Sequence, residues 1–195
     1  MRRKVGYRSR KKKKEATEDF LNQTFRQDRT YKDFFTYIAR HPKATYVEMD
    51  TVKGCREQGK RMLTMLFVEQ NLMLIFLMRV GKVDTVMEQL DWLTAALGLD
   101  CFRKLFPVIL TDNGSAFKHI REMEFTVDGQ RRTRICYRDP QASWQKPRVE
   151  KYHEYIRYVL PCRKSFIPYA QKDYSSFAQP YQQHQTKQTG RKDAF

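Results

Sequence analysis

Asp50 and Asp112 stand where a carboxylate is costly. Each follows or interrupts a run of apolar and β-branched residues, "TYVEMDTV" (residues 45–52) and "VILTDNGSAF" (residues 108–117). Turn chemistry alone accounts for Asp112-Asn113-Gly114 in one reading. In the other, a buried strand ends by holding a carboxylate out to a cation. If the two strands lie side by side and parallel, two like charges meet, and something positive must sit between them. A divalent cation is the usual solution, and hard carboxylate oxygens suit Mg²⁺ or Mn²⁺. A third acid is then wanted from a neighbouring helix. Glu150, one residue past Val149 at the border of an apolar helical stripe, can reach over the sheet edge, and Glu154 lies one turn further along the same flank. Such a cluster holds two Mg²⁺ ions about 3.5–4 Å apart. One activates water or a 3′-hydroxyl, and the other stabilises the leaving oxygen of an in-line attack on phosphorus.

Period and punctuation define the elements that must position these acids. Thr30 can cap a short helix whose Phe34, Phe35 and Ile38 form one face, and Pro42 stops it. Residues 45–52 read as a strand with Glu48 and Asp50 on one face. Residues 61–80 read as two buried strands joined near Gln70-Asn71, completing an antiparallel meander. Their Met62, Met65, Met73 and Met78 belong to the core. From residue 84 the period becomes helical: Met87, Leu90, Leu93 and Leu97 recur, with Asp84 as cap and Gly98 as stop. A second helical piece leads through Pro107 to "VILT", a strand of the kind found inside a parallel sheet, reached by a right-handed crossover. Residues 115–124 read as helix and 133–137 as strand. Residues from about 144 to 160 form a last helix, with Val149, Tyr152, Ile156 and Val159 in its stripe and Pro161 at its end. The succession is α/β, with a mixed five-stranded sheet and helices on its faces.

Charge narrows the partner. The formal net charge is +16, which points to a polyanion, either nucleic acid or an acidic membrane surface. Residues 1–29 read as a disordered basic arm. In it Arg2, Arg3, Lys4, Arg8, Arg10, Lys11, Lys12, Lys13 and Lys14 are placed to contact phosphates, and binding through them depends steeply on salt. Residues 30–166 read as the core and 167–195 as a polar, Gln/Tyr-rich disordered tail. The longest apolar run, Leu72–Met78, is far too short for a bilayer, and no secretory signal follows the basic start. Cys55, Cys101, Cys136 and Cys162 lack metal-ligand spacing and read as reduced thiols of a cytosolic protein. There is no phosphate-binding glycine loop, Ser-His-Asp order or redox motif.

"EMDTVKG" (48–54), "LTDNGSAF" (110–117) and "DPQASWQKPRVEKYHEYIRYVLP" (139–161) resemble, in order, the three catalytic blocks of DDE insertion-sequence transposases, in particular the group named IS-thirty. The resemblance covers residues 30–166. It implies a ribonuclease-H-like, integrase-type core and metal-dependent cutting of double-stranded DNA at transposon inverted-repeat ends. Transfer of the 3′ end to target DNA would follow. It further implies work at the bacterial nucleoid in the cytoplasm, a homo-oligomer in the DNA complex, and no membrane. By motif, Asp50, Asp112 and Glu150 are the catalytic residues and the ligands of two Mg²⁺ (or Mn²⁺) ions. Glu48, Asn113, Trp144 and His153 surround them. Trp144 can stack on a base or sugar, though a place in the core is favoured, and His153 can orient a phosphate or act as a base. Lys146, Arg148, Lys151 and Arg157 can contact phosphates from the last helix. The chain departs from the family at Ala116, where members carry an acid, and at Pro147, where they carry glycine. It also shows no helix-turn-helix before residue 30, and its tail replaces a helical continuation. A truncated, inactive transposase remnant that binds DNA without cutting is the alternative these departures support. A nuclease of the ribonuclease H kind is a third reading.

Overall fold

A central strand, β1 (Val47–Lys53), organises the molecule. Val47 and Met49 are wholly buried on one face of the sheet, while Glu48, Asp50 and Val52 face the other way. β2 (Arg61–Phe67) pairs antiparallel with β1, and β3 (Leu72–Met78) antiparallel with β2. The turn between β2 and β3 includes Asn71 at φ 51°, a left-handed conformation that asparagine tolerates. A crossover through α2 (Val83–Leu97) and α3 (Leu99–Leu105) delivers β4 (Val108–Thr111) parallel to β1. β5 (Arg134–Tyr137) then pairs parallel with β4. The order is β3-β2-β1-β4-β5, completed by α1 (Tyr31–Arg40), α4 (Ile120–Glu124) and α5 (Pro147–Val159). This computed structural model describes residues 27–54, 59–140, 142–160 and 166. The fold is the expected α/β one, a mixed five-stranded sheet flanked by helices in the manner of ribonuclease H.

Each face of the sheet buries its own core. Val86, Leu90 and Leu93 of α2, Phe102 of α3 and Met123 of α4 pack on Val47, Met49, Leu63, Met65, Ile109 and Ile135. On the opposite face, Val149, Tyr152 and Ile156 of α5 pack on Val52, Met62, Leu66 and Met73. Phe34 of α1 packs beside them on Val108, Leu110 and Cys136. α1 opens with a complete capping box: Thr30 Oγ1 accepts from the Asp33 N–H, and the Asp33 carboxylate accepts from the Thr30 N–H. Burial pushes the Cys136 thiol up to about 11, which keeps it protonated and unreactive. Among the described residues no helix is long and apolar enough to cross a membrane.

Three local expectations are corrected. Residues 115–124 are not one helix but a 3₁₀ turn, Ser115–Phe117, followed by α4. The Tyr137 hydroxyl donates to the Phe117 carbonyl at 2.6 Å and so takes that carbonyl out of a helical ladder. The last helix is likewise divided into a 3₁₀ turn, Ser143–Gln145, and α5. The Gln145 amide is held by both the backbone and the carboxylate of Asp139, and Pro147 starts the new helix at its first position, where no N–H is needed. Asp84 does not cap α2. Lys82 holds that position, and Asp84 lies in the first turn, where its charge still complements the helix dipole.

Two fully buried charges lock the loop between α4 and β5. The Glu124 carboxylate accepts from Arg29 Nε at 2.9 Å, Arg29 Nη2 at 2.7 Å and the Ile135 N–H at 2.9 Å. The guanidinium of Arg132 meets Asp91 of α2 and the carbonyls of Met123 and Glu122. Removing one partner of a buried pair leaves the other uncompensated. Glu124→Ala should therefore lower the unfolding free energy of the full chain by about 3 kcal/mol, read from urea midpoints. An unchanged midpoint would show that the Glu124 network is dispensable.

Candidate active site

The register of β1 against β4 decides where the first two acids meet. Glu48 pairs with Leu110, so Asp50 and Asp112, each two residues further on, lie level at the same end of the sheet. Asp112 leaves β4 and closes a tight turn, its Oδ1 accepting the Gly114 N–H at 2.8 Å. A Cβ at residue 114 would stand 2.7 Å from that oxygen, so glycine is what lets the carboxylate approach. The turn chemistry and the presentation of the carboxylate are one device.

α5 is docked onto the same end by two buried contacts. Its first turn has no cap from its own chain neighbours, and Glu48 of β1 supplies one: Glu48 Oε2 accepts the Val149 N–H at 2.8 Å. Burial pushes the Glu48 carboxyl above its ordinary range, and the Val149 N–H works against that shift. Lys146, just before the helix, is 0% exposed. Its Nζ donates to Asp50 Oδ2 at 2.9 Å and to the Met49 carbonyl at 3.1 Å. The other oxygen of Asp50 accepts the Thr51 N–H at 2.7 Å.

Glu150 follows directly from this docking. Its Oε1 lies 3.6 Å from Nη1 of Arg138, and Nη2 of the same guanidinium lies 3.8 Å from Asp112 Oδ2. Arg138 is held by its backbone beside the end of β4: its N–H donates to the Thr111 carbonyl at 2.9 Å, and its carbonyl accepts from Asn113 Nδ2 at 3.0 Å. Thr64 stands opposite Asp50 in the β1–β2 register. Its hydroxyl lies 3.2 Å from the Asp50 carbonyl and 2.8 Å from His153 Nε2, within hydrogen-bond reach of both. Burial holds the His153 imidazole down to about 4, with Lys146 and Arg157 acting in the same direction and Asp50 against.

Carboxylate oxygens are the donor type that a hard divalent cation takes, and Asp50, Asp112 and Glu150 all lie toward this sheet end. Arg138 Nη1, a buried guanidinium nitrogen without a hydrogen-bond partner, is a positive donor and no ligand for such an ion. The present neutralisation of the three acids comes from the chain itself. Asp50 faces Lys146, Arg138 lies between Asp112 and Glu150, and among the described residues no three carboxylate, histidine or cysteine side chains stand close enough to share one ion.

Other expected site residues lie as follows. Lys146 is corrected: a wholly buried ammonium bound to Asp50 does not present itself to a phosphate. Trp144 is corrected in the opposite sense, since it is 73% exposed rather than core; the core beneath this turn is filled by Ala142 and Gln145 instead. Arg148 and Lys151 are exposed on α5, with Arg148 Nη1 donating to the Val68 carbonyl. Arg157 donates to the Lys53 carbonyl at 2.6 Å, and Glu154 is exposed. Ala116 is buried. Arg2, Arg3, Lys4, Arg8 and the run 10–14 lie outside the described residues, as do Cys55, Cys162 and the tail 167–195. Arg138 is the residue that sequence reasoning passed over. Pairing β5 beside β4 would have found it, because Thr111↔Tyr137 puts the next residues of the two strands, Asp112 and Arg138, side by side.

No family model matches the chain, and no curated protein matches it. Among solved structures it is similar to the cryo-EM structure of a simian T-cell lymphotropic virus intasome in complex with PP2A regulatory subunit B56 gamma. The identity is 15% and the TM-score 0.45, over 58% of this chain and 38% of that one. A likeness this low says nothing about activity.

The His153 shift has a definite sign. An unfolded histidine takes up its proton near 6.5, the native one near 4, so His153 favours the fold fully above pH 6.5 and progressively less as pH falls toward 4. Between pH 7.5 and pH 5 this removes about 2 kcal/mol. His153→Gln, which keeps a hydrogen-bond partner for Thr64, should lose that much less stability over the same interval in urea unfolding. Identical pH slopes for the two proteins would contradict the buried, neutral imidazole.

Proposed function

We propose that this chain is the catalytic core of a DDE-type transposase that cuts DNA at insertion-sequence ends and transfers the 3′ strand to a target. One observation carries the reading. The acids of the three motif blocks, Asp50, Asp112 and Glu150, come from a strand, a strand end and a helix start, and are gathered at one end of a ribonuclease-H-like sheet. Asp50, Asp112 and Glu150 would hold Mg²⁺ or Mn²⁺, and a bound ion supplies nucleophile activation and charge stabilisation at phosphorus. Lys146 orients the Asp50 carboxylate and places a positive charge against it. Glu48 fixes the start of α5 and thereby Glu150. His153, neutral at working pH and committed to Thr64, positions β2 against α5 and is not the base. Exposed Arg148 and Lys151 supply phosphate contacts, and exposed Trp144 a stacking surface for a base or sugar. The nine basic residues of 1–14 add a sequence-independent grip on double-stranded DNA, at inverted-repeat ends and at the target. A homo-oligomer assembled on DNA in the bacterial cytoplasm completes the proposal.

A second reading, a remnant that binds DNA without cutting it, is favoured by one placement: the guanidinium of Arg138 lies across two of the three acids.

A DNA-end substrate with Mg²⁺ or Mn²⁺ separates them. The first reading predicts metal-dependent nicking by the wild type, reduced about 10²–10³-fold in Asp50→Asn, Asp112→Asn and Glu150→Gln, the scale seen when one charge-stabilising group is removed. Equal activity of wild type and Asp112→Asn would remove the assignment. DNA binding without any metal-dependent cutting would establish the remnant, and cutting only of RNA–DNA hybrids would establish a ribonuclease H. Deleting residues 1–14 should flatten the plot of log affinity against log salt by up to about eight units, since each neutralised phosphate contributes about 0.9. An unchanged slope would show that the arm does not touch DNA.

A further inference from the structure

We propose that Arg138 is an internal competitor for the divalent cation, a tethered positive charge that must swing away before an ion can bind Asp112 and Glu150. The inference rests on the metal-holding role proposed above for these carboxylates and adds the residue that controls their occupancy.

The contrast with other ion pairs of this molecule supports it. Arg29, which ties its loop to Glu124, makes two direct hydrogen bonds at 2.9 and 2.7 Å. Arg138 makes none to either acid. Its nitrogens lie 3.8 Å from Asp112 and 3.6 Å from Glu150, and Nη1 is buried with no hydrogen-bond partner. A guanidinium so placed neutralises two carboxylates without binding either closely. A divalent ion contacts carboxylate oxygens directly, at about 2.0–2.6 Å, and offers twice the charge. The two positive species cannot share the space between the same two acids, because like charges that close repel strongly in a partly desolvated setting.

Arg138 is also able to leave. Its backbone is fixed between Thr111 and Asn113, but its side chain is 18% exposed, so rotation of the side chain alone carries the charge outward. Lys146 differs in this respect. Its ammonium is wholly enclosed and holds both a strand carbonyl and Asp50 at the start of α5. Lys146 is the permanent counter-charge and Arg138 the exchangeable one.

Mn²⁺ binding to the full chain without DNA tests this, followed by calorimetry or by loss of the free-ion paramagnetic resonance signal. Arg138→Gln should bind Mn²⁺ at least ~10-fold more tightly than wild type, because a positive charge within about 4 Å of the ion is gone. Arg138→Lys, which keeps the charge, should stay within about threefold of wild type. In the absence of metal Arg138→Gln should melt at a lower temperature than wild type, since Asp112 and Glu150 then lack their counter-charge, and Mn²⁺ should restore it. If the variant does not fold without metal, refolding in Mn²⁺ should recover its far-ultraviolet circular dichroism, and failure to recover overturns the proposal. Equal Mn²⁺ affinity of wild type and Arg138→Gln, with both weakened by Asp112→Asn, overturns the competitor role and leaves the carboxylate site standing. No Mn²⁺ binding by either protein overturns both.

Discussion

Carboxylates that leave bulk water need positive charge nearby, and the end of this sheet is built around that need. Asp50 and Asp112 lie level on adjacent parallel strands, and Glu48 is enclosed two residues before Asp50. Left alone, these charges would oppose the packing of α5 against β1. Instead they determine it. Lys146 reaches in to Asp50, the backbone of Val149 reaches in to Glu48, and between them these contacts set the entry of α5. Glu150 arrives beside Arg138 because Lys146 and Val149, both ahead of it in the chain, are already fixed. Glu150 is thus positioned by the contacts that α5 and the residue before it make to Asp50 and Glu48.

The remaining frame uses the same physics for a different end. Around Glu124 and Arg132, charges are buried with short, multiple hydrogen bonds that tie the loop into β5 to its neighbours. Around Asp112 and Glu150 the pairing is loose and partly open to solvent. The charges beside the loop into β5 are satisfied by direct hydrogen bonds, and those of Asp112 and Glu150 only at a distance. His153 sits on the boundary, neutral and hydrogen-bonded to Thr64, and so adds no further positive charge beside Lys146 near neutral pH.

Local rules made much of this architecture legible in the sequence. The alternation of Val47 and Met49 with Glu48 and Asp50 identified a strand with a chemical face. Thr30 and Gly98 marked helix ends, and Asn71 a turn, through capping and left-handed geometry. The methionines of β2 and β3 are all core. Long side chains were the part that stayed hidden. A period places Lys146 near a helix start but does not say that four methylenes carry its ammonium inward to Asp50. Trp144 read as core in preference to a stacking surface, yet the turn that Gln145 anchors on Asp139 leaves the indole in solvent. Arg138 was invisible because its neighbour across β4 is set by tertiary pairing and not by any short motif.

Anomalous diffraction from crystals of the full chain grown with Mn²⁺ measures the central claim directly. The account requires a manganese peak bonded to oxygens of Asp50, Asp112 and Glu150, with the Arg138 guanidinium rotated out of the space between Asp112 and Glu150. Well-ordered crystals in saturating Mn²⁺ that show no peak there, and Arg138 still in place, would contradict it.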